Sequence, residues 1–200
     1  MIISDKQKDA ITELINIGFS KSASSLSELT GFRVLLNLPD VKVLPIDELS
    51  PVLKELVPEQ ISTVHQVFSG TISGDAMLIL SQEGSIALTR LLVDEPLLDI
   101  NLDISMQEVL TEVGNILLNS CLGIFGNMLK IQITFSVPKL QLESLDKLIR
   151  TLTIDTNGLS YALIVTMEFQ LRDKSLSGFL VLVLGVTSLE RFLDEIEKLG

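Results

Sequence analysis

The sequence predicts an α+β fold built from two similar halves, in which a mainly antiparallel sheet carries long helices on one face. Three observations lead to this prediction. The same Glu, Asn and Pro pattern occurs twice, 99 residues apart. Each copy begins in a long helical stretch followed by β-rich segments, and each half then continues into a hairpin pattern. Two copies are too few to stack as a solenoid. We therefore expect one pseudo-two-fold domain over residues 1–200, with repeat halves at about 1–100 and 101–200.

Both copies of the pattern read E-x2-N-x22-P, and their flanks align without gaps. Thr12 matches Thr111, and acidic Asp9 matches acidic Glu108. Proline makes up only about 5% of average sequences, so its recurrence at one register supports an internal duplication. The two triads are Glu13, Asn16 and Pro39 in the first half and Glu112, Asn115 and Pro138 in the second.

The first half begins with a long helix, for which Ser4 or Asp5 is the expected cap and Thr30-Gly31 the expected end. Apolar and small side chains recur along one side of this helix, as a buried face requires. They are Ile11, Leu14, Ile15, Gly18, Ser22, Leu26 and Leu29. The elements that follow are strands at 32–38 and 41–44 with Pro39 at the break, a short helix within 46–57, a hairpin of 62–68 and 76–80, a helix at 84–93 and a connector at 94–96.

The second half repeats this order. Ser105 is the expected cap of a helix that runs to about Leu129. The remaining elements are strands at 131–137 and 140–142, a weakly helical or irregular segment at 144–150, a hairpin of 161–171 and 178–186 around 172–174, and a closing helix at 188–199 capped by Ser188 or Thr187.

Composition restricts the possible partners. The formal net charge is -11 and no basic run occurs, which disfavours nucleic acid and anionic membranes. A single cysteine, Cys121, excludes an internal disulfide and fits a reducing compartment. The N-terminus does not resemble a signal peptide, and no uninterrupted apolar run approaches the roughly 20 residues of a membrane span. We expect a cytoplasmic protein without membrane insertion.

The repeated polar residues share one helix face, because positions three and four apart are neighbours on a helix. In the second helix, Glu108, Glu112, Asn115 and Asn119 form a narrow polar stripe among apolar residues. A single stripe of this kind is typical of the solvated side of an amphipathic helix. Two stripes with the same chemistry in the same register favour a functional interpretation.

These residues resemble a known signature, (Asp or Ser)-x3-Glu-x2-Asn-x22-Pro, of the CheC, CheX and FliY phosphatases of chemotaxis. Asp9, Glu13, Asn16 and Pro39 fit it completely. In the second copy only the first position departs, where Glu108 replaces Asp or Ser. Two complete motifs in 200 residues are similar to the CheC-like members, and the hairpin around Gly70 and Gly74 is also similar to the family.

The resemblance implies an enzyme that hydrolyses the aspartyl phosphate of a CheY-type response regulator. Asn16 and Asn115 would orient the attacking water, and Glu13 and Glu112 would dock to a lysine of the regulator. Asp9, Glu108, Pro39 and Pro138 would support binding or the motif itself. The family implies no cofactor of the chain's own, and Mg2+ would arrive with the regulator. It also implies binding to CheD, a receptor-modifying deamidase.

Two other functions remain open at this point. The chain could be a non-catalytic adaptor that binds CheD, a phosphorylated regulator, or both; a pure adaptor has no chemical need for the repeated carboxamide. It could also be a hydrolase that pairs Glu13 with Glu112. No metal site is expected, because His65 has no second His or Cys nearby in the sequence. Cys121 lies on an apolar helix side and is interpreted as a core residue.

Overall fold

A computed structural model describes residues 3–92, 102–154, 160–171 and 173–198, apart from the side chains of residues 38, 39, 102–105, 153 and 154. The first half contains α1 (Asp5–Thr30), β1 (Val34–Pro45), a 3-10 turn (Ile46–Glu48), α2 (Leu49–Leu56), β2 (Gln60–Gly70), β3 (Gly74–Ser81) and α3 (Gln82–Leu92). The second contains α4 (Leu102–Met128), β4 (Ile133–Phe135), β5 (Lys139–Ser144), α5 (Leu145–Ile154), β6 (Ser160–Leu171), β7 (Lys174–Gly185) and α6 (Val186–Glu197). The element order is the same in both halves, as the repeat predicts.

The seven strands form one antiparallel sheet in which the halves exchange their first strands. The order is β1-β6-β7-β3-β2-β4, and β5 continues the β4 edge along β2. Thus β1 pairs with the hairpin of the second half, and β4 with β5 pairs with the hairpin of the first. The two hairpins meet between β3 and β7 at the centre of the sheet. This order is symmetric about that central pairing, which confirms the predicted fold class.

Helices cover both faces of the sheet. The long helices α1 and α4 lie on one face, as predicted, and share their core with α3 and α6. The shorter helices α2 and α5 pack on the opposite face, where they form a second core. This second core was not predicted from the sequence. An exposed ion pair joins these two helices, with Lys54 Nζ 2.8 Å from Asp146 Oδ1. The hydrogen bond and charge of Lys54 lower the pKa of Asp146.

The ends of α1 follow from its sequence. The Ser4 hydroxyl accepts from the Gln7 N–H while the Gln7 side chain accepts from the Ser4 N–H, which is a capping box. Gly31 ends the helix in the left-handed conformation, with φ of 73°. The predicted apolar side is buried except at Leu29, which is 60% exposed. The prediction for Leu29 was wrong because the core ends one turn earlier, at Leu26.

Three further predictions of element boundaries need correction. Ser105 does not cap α4, because the helix already begins at Leu102. Ser188 and Thr187 do not cap α6, which follows Gly185 without a side-chain cap; the Ser188 hydroxyl instead accepts from the Ser73 N–H at 3.1 Å. The segment at 144–150, which was expected to be weakly helical or irregular, belongs to the regular helix α5. Near the start of this helix, the Lys147 N–H donates a hydrogen bond to the Ser144 hydroxyl. The predicted connector at 94–96 lies outside the described residues.

Glycines allow α4 to approach both α1 and the sheet closely. A Cβ added at Gly18 of α1 would lie 3.1 Å from the Cα of Cys121, and one added at Gly114 would lie 2.4 Å from Cγ1 of Val64. Gly114 is buried against strand β2, whose stiff Val64 side chain cannot turn away. Because Gly18 and Gly114 have no side chains, α4 can pack at this short distance from α1 and from the sheet.

Within the described residues, Met106–Met128 of α4 is long and apolar enough to cross a membrane by length and composition. Its apolar side chains Leu110, Val113, Leu117 and Leu118 are nevertheless within the protein core. This burial is typical of a central core helix.

We expect Gly114→Ala to lower the free energy of unfolding by about 1–3 kcal/mol, because the added methyl group overlaps Val64. Gly123→Ala in the same helix is the matched control, since its Cβ would meet no atom within 4 Å. The control should raise stability by up to about 1 kcal/mol through helix propensity. Urea denaturation of both variants measures the difference. Equal stabilities would contradict the close packing at Gly114.

Cys121 provides a chemical probe of the α1–α4 contact. The thiol is fully buried, and this burial raises its pKa to about 12. Only a thiolate reacts rapidly, so labelling by a disulfide reagent at pH 8 should be slow in the native protein and fast in urea. Rapid labelling of one thiol per chain under native conditions would show that the helices separate readily.

Candidate functional site

The second polar stripe borders an open depression of ≈ 440 Å³ between α4 and the β4–β5 edge. Glu112 is exposed and Asn115, one turn further along α4, is half-buried. Exposed Phe135 and Val137 form an apolar rim. The depression is lined by Gln66, Thr111, Glu112, Asn115, Asn119, Phe135, Ser136, Val137 and Pro138. The predicted residues Glu112, Asn115 and Pro138 are therefore brought together, and a carboxylate and a carboxamide face solvent side by side.

Pro138 occupies a strand irregularity that shapes the wall of this depression. Phe135 faces Phe68 across the sheet, whereas Lys139 faces His65, so the β4–β5 edge carries one residue more than β2 over this stretch. A one-residue excess is a bulge, and proline is tolerated there because it lacks the N–H that a regular ladder needs. Pro138 is buried against the site, which confirms its predicted position at a strand break.

Three amide side chains form a hydrogen-bonded series that ends at Asn115. The Gln66 Nε2 group donates to Asn119 Oδ1 at 3.0 Å and to the Ser136 carbonyl oxygen at 2.8 Å. Asn119 Nδ2 in turn donates to Asn115 Oδ1 at 2.6 Å. Gln66 is only 1% exposed and comes from the first half of the chain. The site is thus composed of both halves.

Sequence reasoning placed Asn119 in the polar stripe but missed Gln66. A signal was present, because Gln66 stands between Val64 and Phe68 on the alternating inward face of β2. A polar residue at such an inward position requires hydrogen-bond partners. Those partners lie on α4 and on the β4–β5 edge, which only the tertiary structure brings next to β2.

The first motif is more open. Asp9, Glu13 and Asn16 are all exposed on α1. Glu13 lies beside a separate depression of ≈ 500 Å³ formed with the ends of α4 and α6. The side chain of Pro39 lies outside the described residues, but β1 also carries one extra residue between Asn37 and Asp40 relative to β6. The backbone irregularity at each motif proline is therefore repeated.

The two motifs occupy different places on the molecule. Helix α1 packs beside β1 at one edge of the sheet, and α4 packs beside β4 and β5 at the other. Glu13 and Glu112 border separate depressions, which gives no support to a hydrolase with these two carboxylates as a catalytic pair. Asp9 and Glu108 are exposed at the preceding helix turns, where a bound protein could reach them.

Other candidate chemistry is explained by local structure. His65 Nε2 lies 2.7 Å from Asp75 Oδ1 on the neighbouring strand, and both side chains are partly buried. Across the described ranges, no group of three or more His, Cys, Asp and Glu side chains converges as metal ligands. The polar stripes with their prolines are the arrangement that remains for a functional interpretation.

Comparisons with known proteins agree with this arrangement. The CheC-like family matches residues 7–43, which contain the complete first motif. The CheY-P phosphatase CheC of Bacillus subtilis is 28% identical over 145 residues, which cover 70% of this chain and 68% of that protein. The flagellar motor switch phosphatase FliY of the same organism is 29% identical over 91 residues, 46% of this chain but only 23% of that protein.

A solved structure shows the same fold along the whole chain. The crystal structure of Thermotoga maritima FliY superimposes with a TM-score of 0.76 and covers 100% of both chains at 17% sequence identity. The duplicated motif, the strand order and these similarities agree: the chain is similar in sequence to the CheC-like family and to CheC and FliY of Bacillus subtilis, and it shares the fold of Thermotoga maritima FliY.

Proposed function

We propose that this chain hydrolyses the aspartyl phosphate of a CheY-type response regulator in chemotaxis signalling. The observation that carries the proposal is the solvent-facing Glu and Asn pair, which occurs in the same register on α1 and α4. The name of the Bacillus subtilis relative, CheY-P phosphatase CheC, supports the choice of substrate. The apolar rim of Phe135 and Val137 beside Asn115 suits a protein surface as the substrate.

The carboxamide has the properties that this hydrolysis requires. Phosphoryl transfer depends on positioning and on charge stabilisation more than on covalent chemistry by the catalyst. The regulator brings the phosphoaspartate, a bound Mg2+ and a basic side chain. Asn16 and Asn115 hold the attacking water in line with the phosphorus–oxygen bond. The water oxygen bonds to phosphorus, the bond to the aspartyl oxygen breaks, and the products are the free carboxylate and inorganic phosphate.

A neutral amide is better suited to this position than a carboxylate. Asn offers both an acceptor oxygen and a donor NH2 group to water, and it brings no charge that would repel the phosphoryl group. Glu13 and Glu112, one turn away on the same helix faces, carry the negative charge that docks to a regulator lysine. The carboxylate thus serves for docking and the carboxamide for water orientation. Neither group needs to act as a general base.

A binding module remains the alternative function, with the CheD deamidase or the phosphorylated regulator as its partner. It makes a different prediction, since an adaptor would bind the regulator without changing the lifetime of its phosphate. The proposed substrate also places the chain in the cytoplasm, where response regulators act. The decay of a phosphorylated regulator in Mg2+, with and without this protein, decides between the two functions.

We expect the double variant Asn16→Ala/Asn115→Ala to lose the acceleration of this decay by about 100-fold or more, because no side chain orients the water. Binding to the phosphorylated regulator, measured by fluorescence anisotropy, should stay within about threefold, because both glutamates remain. Each single variant should retain the activity of the intact site. Substantial activity in the double variant would rule out water orientation by these residues.

Glu13→Gln/Glu112→Gln should affect binding and rate together. We expect the regulator concentration at half-maximal rate to rise about tenfold, since the loss of a charge-assisted contact costs roughly 1.5–3 kcal/mol. The rise should shrink at high salt, because screening already weakens this contact in the parent. Glu28→Gln/Glu190→Gln, which also removes two exposed charges but outside the motifs, is the matched control. If the control and the double variant had equal effects, Glu13 and Glu112 would act only through the net charge of the protein and not through a specific contact.

A further inference from the structure

The amide series beside Asn115 fixes the direction of every hydrogen bond in it. Both N–H groups of the Gln66 amide are used, one toward Asn119 Oδ1 and one toward the Ser136 carbonyl. Because Asn119 accepts through its oxygen, its nitrogen is free to donate, and it donates to Asn115 Oδ1 at 2.6 Å. The Asn115 amide nitrogen then points away from Asn119. The series therefore identifies which end of the Asn115 carboxamide is the acceptor.

This direction matters for a side chain that orients water. The terminal torsion of Asn is broad and roughly two-fold, so an unsupported carboxamide can exchange its oxygen and nitrogen positions. Each exchange would replace an acceptor by a donor at the water site. A hydrogen bond to the oxygen removes the flipped orientation and still leaves the second lone pair of Oδ1 for the water.

The fold itself does not require an amide at position 66. Phe68 faces Phe135, and in the other half Phe169 faces Leu36 at the matching register, so Met167 is the counterpart of Gln66. Met167 is fully buried in the same apolar core. In contrast, Gln66 Oε1 is buried without a hydrogen-bond partner among the described residues. An unpaired buried acceptor is unfavourable for stability, so a role outside packing accounts for Gln66 better than packing does.

The first site has neither member of the series. Ser20 is the counterpart of Asn119, and its hydroxyl donates to the Asn16 backbone carbonyl at 2.9 Å instead of to the carboxamide. No hydrogen bond joins the Asn16 side chain to any residue that the structure describes. Asn16 is also exposed, whereas Asn115 is half-buried. The two sites therefore share their motif residues but differ in how the carboxamide is supported.

We infer that Gln66 and Asn119 are positioning residues that hold the Asn115 carboxamide in one orientation for water, and that the Asn16 site works without such support. This inference rests on the proposed function. Gln66 acts across the boundary between the halves, because it reaches Asn115 only through a helix of the other half. The site on α4 is accordingly the more preorganised of the two.

The test uses variants in which residues of the other half replace their counterparts. Gln66→Met copies Met167, and Asn119→Ser copies Ser20, so each new residue is one that this fold already accommodates. Each is placed in an Asn16→Ala background, which leaves only the α4 site, and in an Asn115→Ala background, which leaves only the α1 site. The rate of regulator dephosphorylation is measured against regulator concentration, together with Tm.

In the Asn16→Ala background, we expect Gln66→Met to lower kcat about fivefold to tenfold, as the loss of one supporting hydrogen bond implies, without raising the half-saturating regulator concentration. Asn119→Ser should lower kcat similarly, and the combined variant should do no more than the larger single effect, because both act through Asn115. In the Asn115→Ala background neither change should alter the rate. The Tm of Gln66→Met should be equal to or higher than that of its parent.

Several results would overturn the inference. An unchanged kcat in the Asn16→Ala background would show that the amide series does not position Asn115. An equal loss in both backgrounds, or a loss accompanied by a lower Tm, would assign Gln66 a structural role. If the unmodified protein itself does not accelerate regulator dephosphorylation, the proposed function fails and this inference fails with it. An active unmodified protein with an unaffected Gln66→Met variant separates the two failures.

Discussion

The exchange of first strands between the halves is the constraint on which the structure depends. Strand β1 completes the hairpin of the second half, and β4 with β5 completes that of the first. Neither half can pair all of its strand hydrogen bonds alone, so helix placement, core and sites follow from this shared sheet. The α4 site illustrates the consequence, because Gln66 from the first half contacts Asn119 and Ser136 from the second. The α4 site therefore forms only when the strands of both halves are paired in one sheet.

The motif spacing has a structural meaning in this sheet. The interval of 22 residues between Asn and Pro covers the rest of the long helix, the turn and the first part of the edge strand. In the second half, this path brings Pro138 to the same depression as Asn115. The proline then stands where each edge strand carries one extra residue relative to its partner. At the α4 site, the Ser136–Pro138 segment at this irregularity forms one wall of the depression. The motif thus joins two polar side chains on one helix face with one residue that shapes the backbone of the edge strand.

Much of the fold was predictable because its signals are local or repeated. The capping box at Ser4, the end at Gly31, both hairpins and the paired motifs are all readable from short stretches. The boundaries that failed depend on tertiary packing: Ser105 lies inside a helix that begins earlier, and the segment at 145–154 becomes regular because its apolar side enters the second core. The amide series could not be predicted, since the sequence does not reveal that β2 borders the edge strand of the other half. The roles of all motif residues stay predictions: Asp9, Glu13, Asn16 and Pro39 in the first copy, and Glu108, Glu112, Asn115 and Pro138 in the second.

The strand exchange also determines the order in which the sheet can be completed during synthesis. The partner of Val34 is Leu171, so β1 leaves the ribosome long before β6 exists. At roughly 5–20 residues per second, that interval is on the order of ten seconds. Strands β4 and β5 emerge when their partner β2 has already been made. The nascent chain must therefore keep one apolar strand unpaired until β6 has been made. This interval is the stage of synthesis most exposed to aggregation and the stage at which a chaperone would help most.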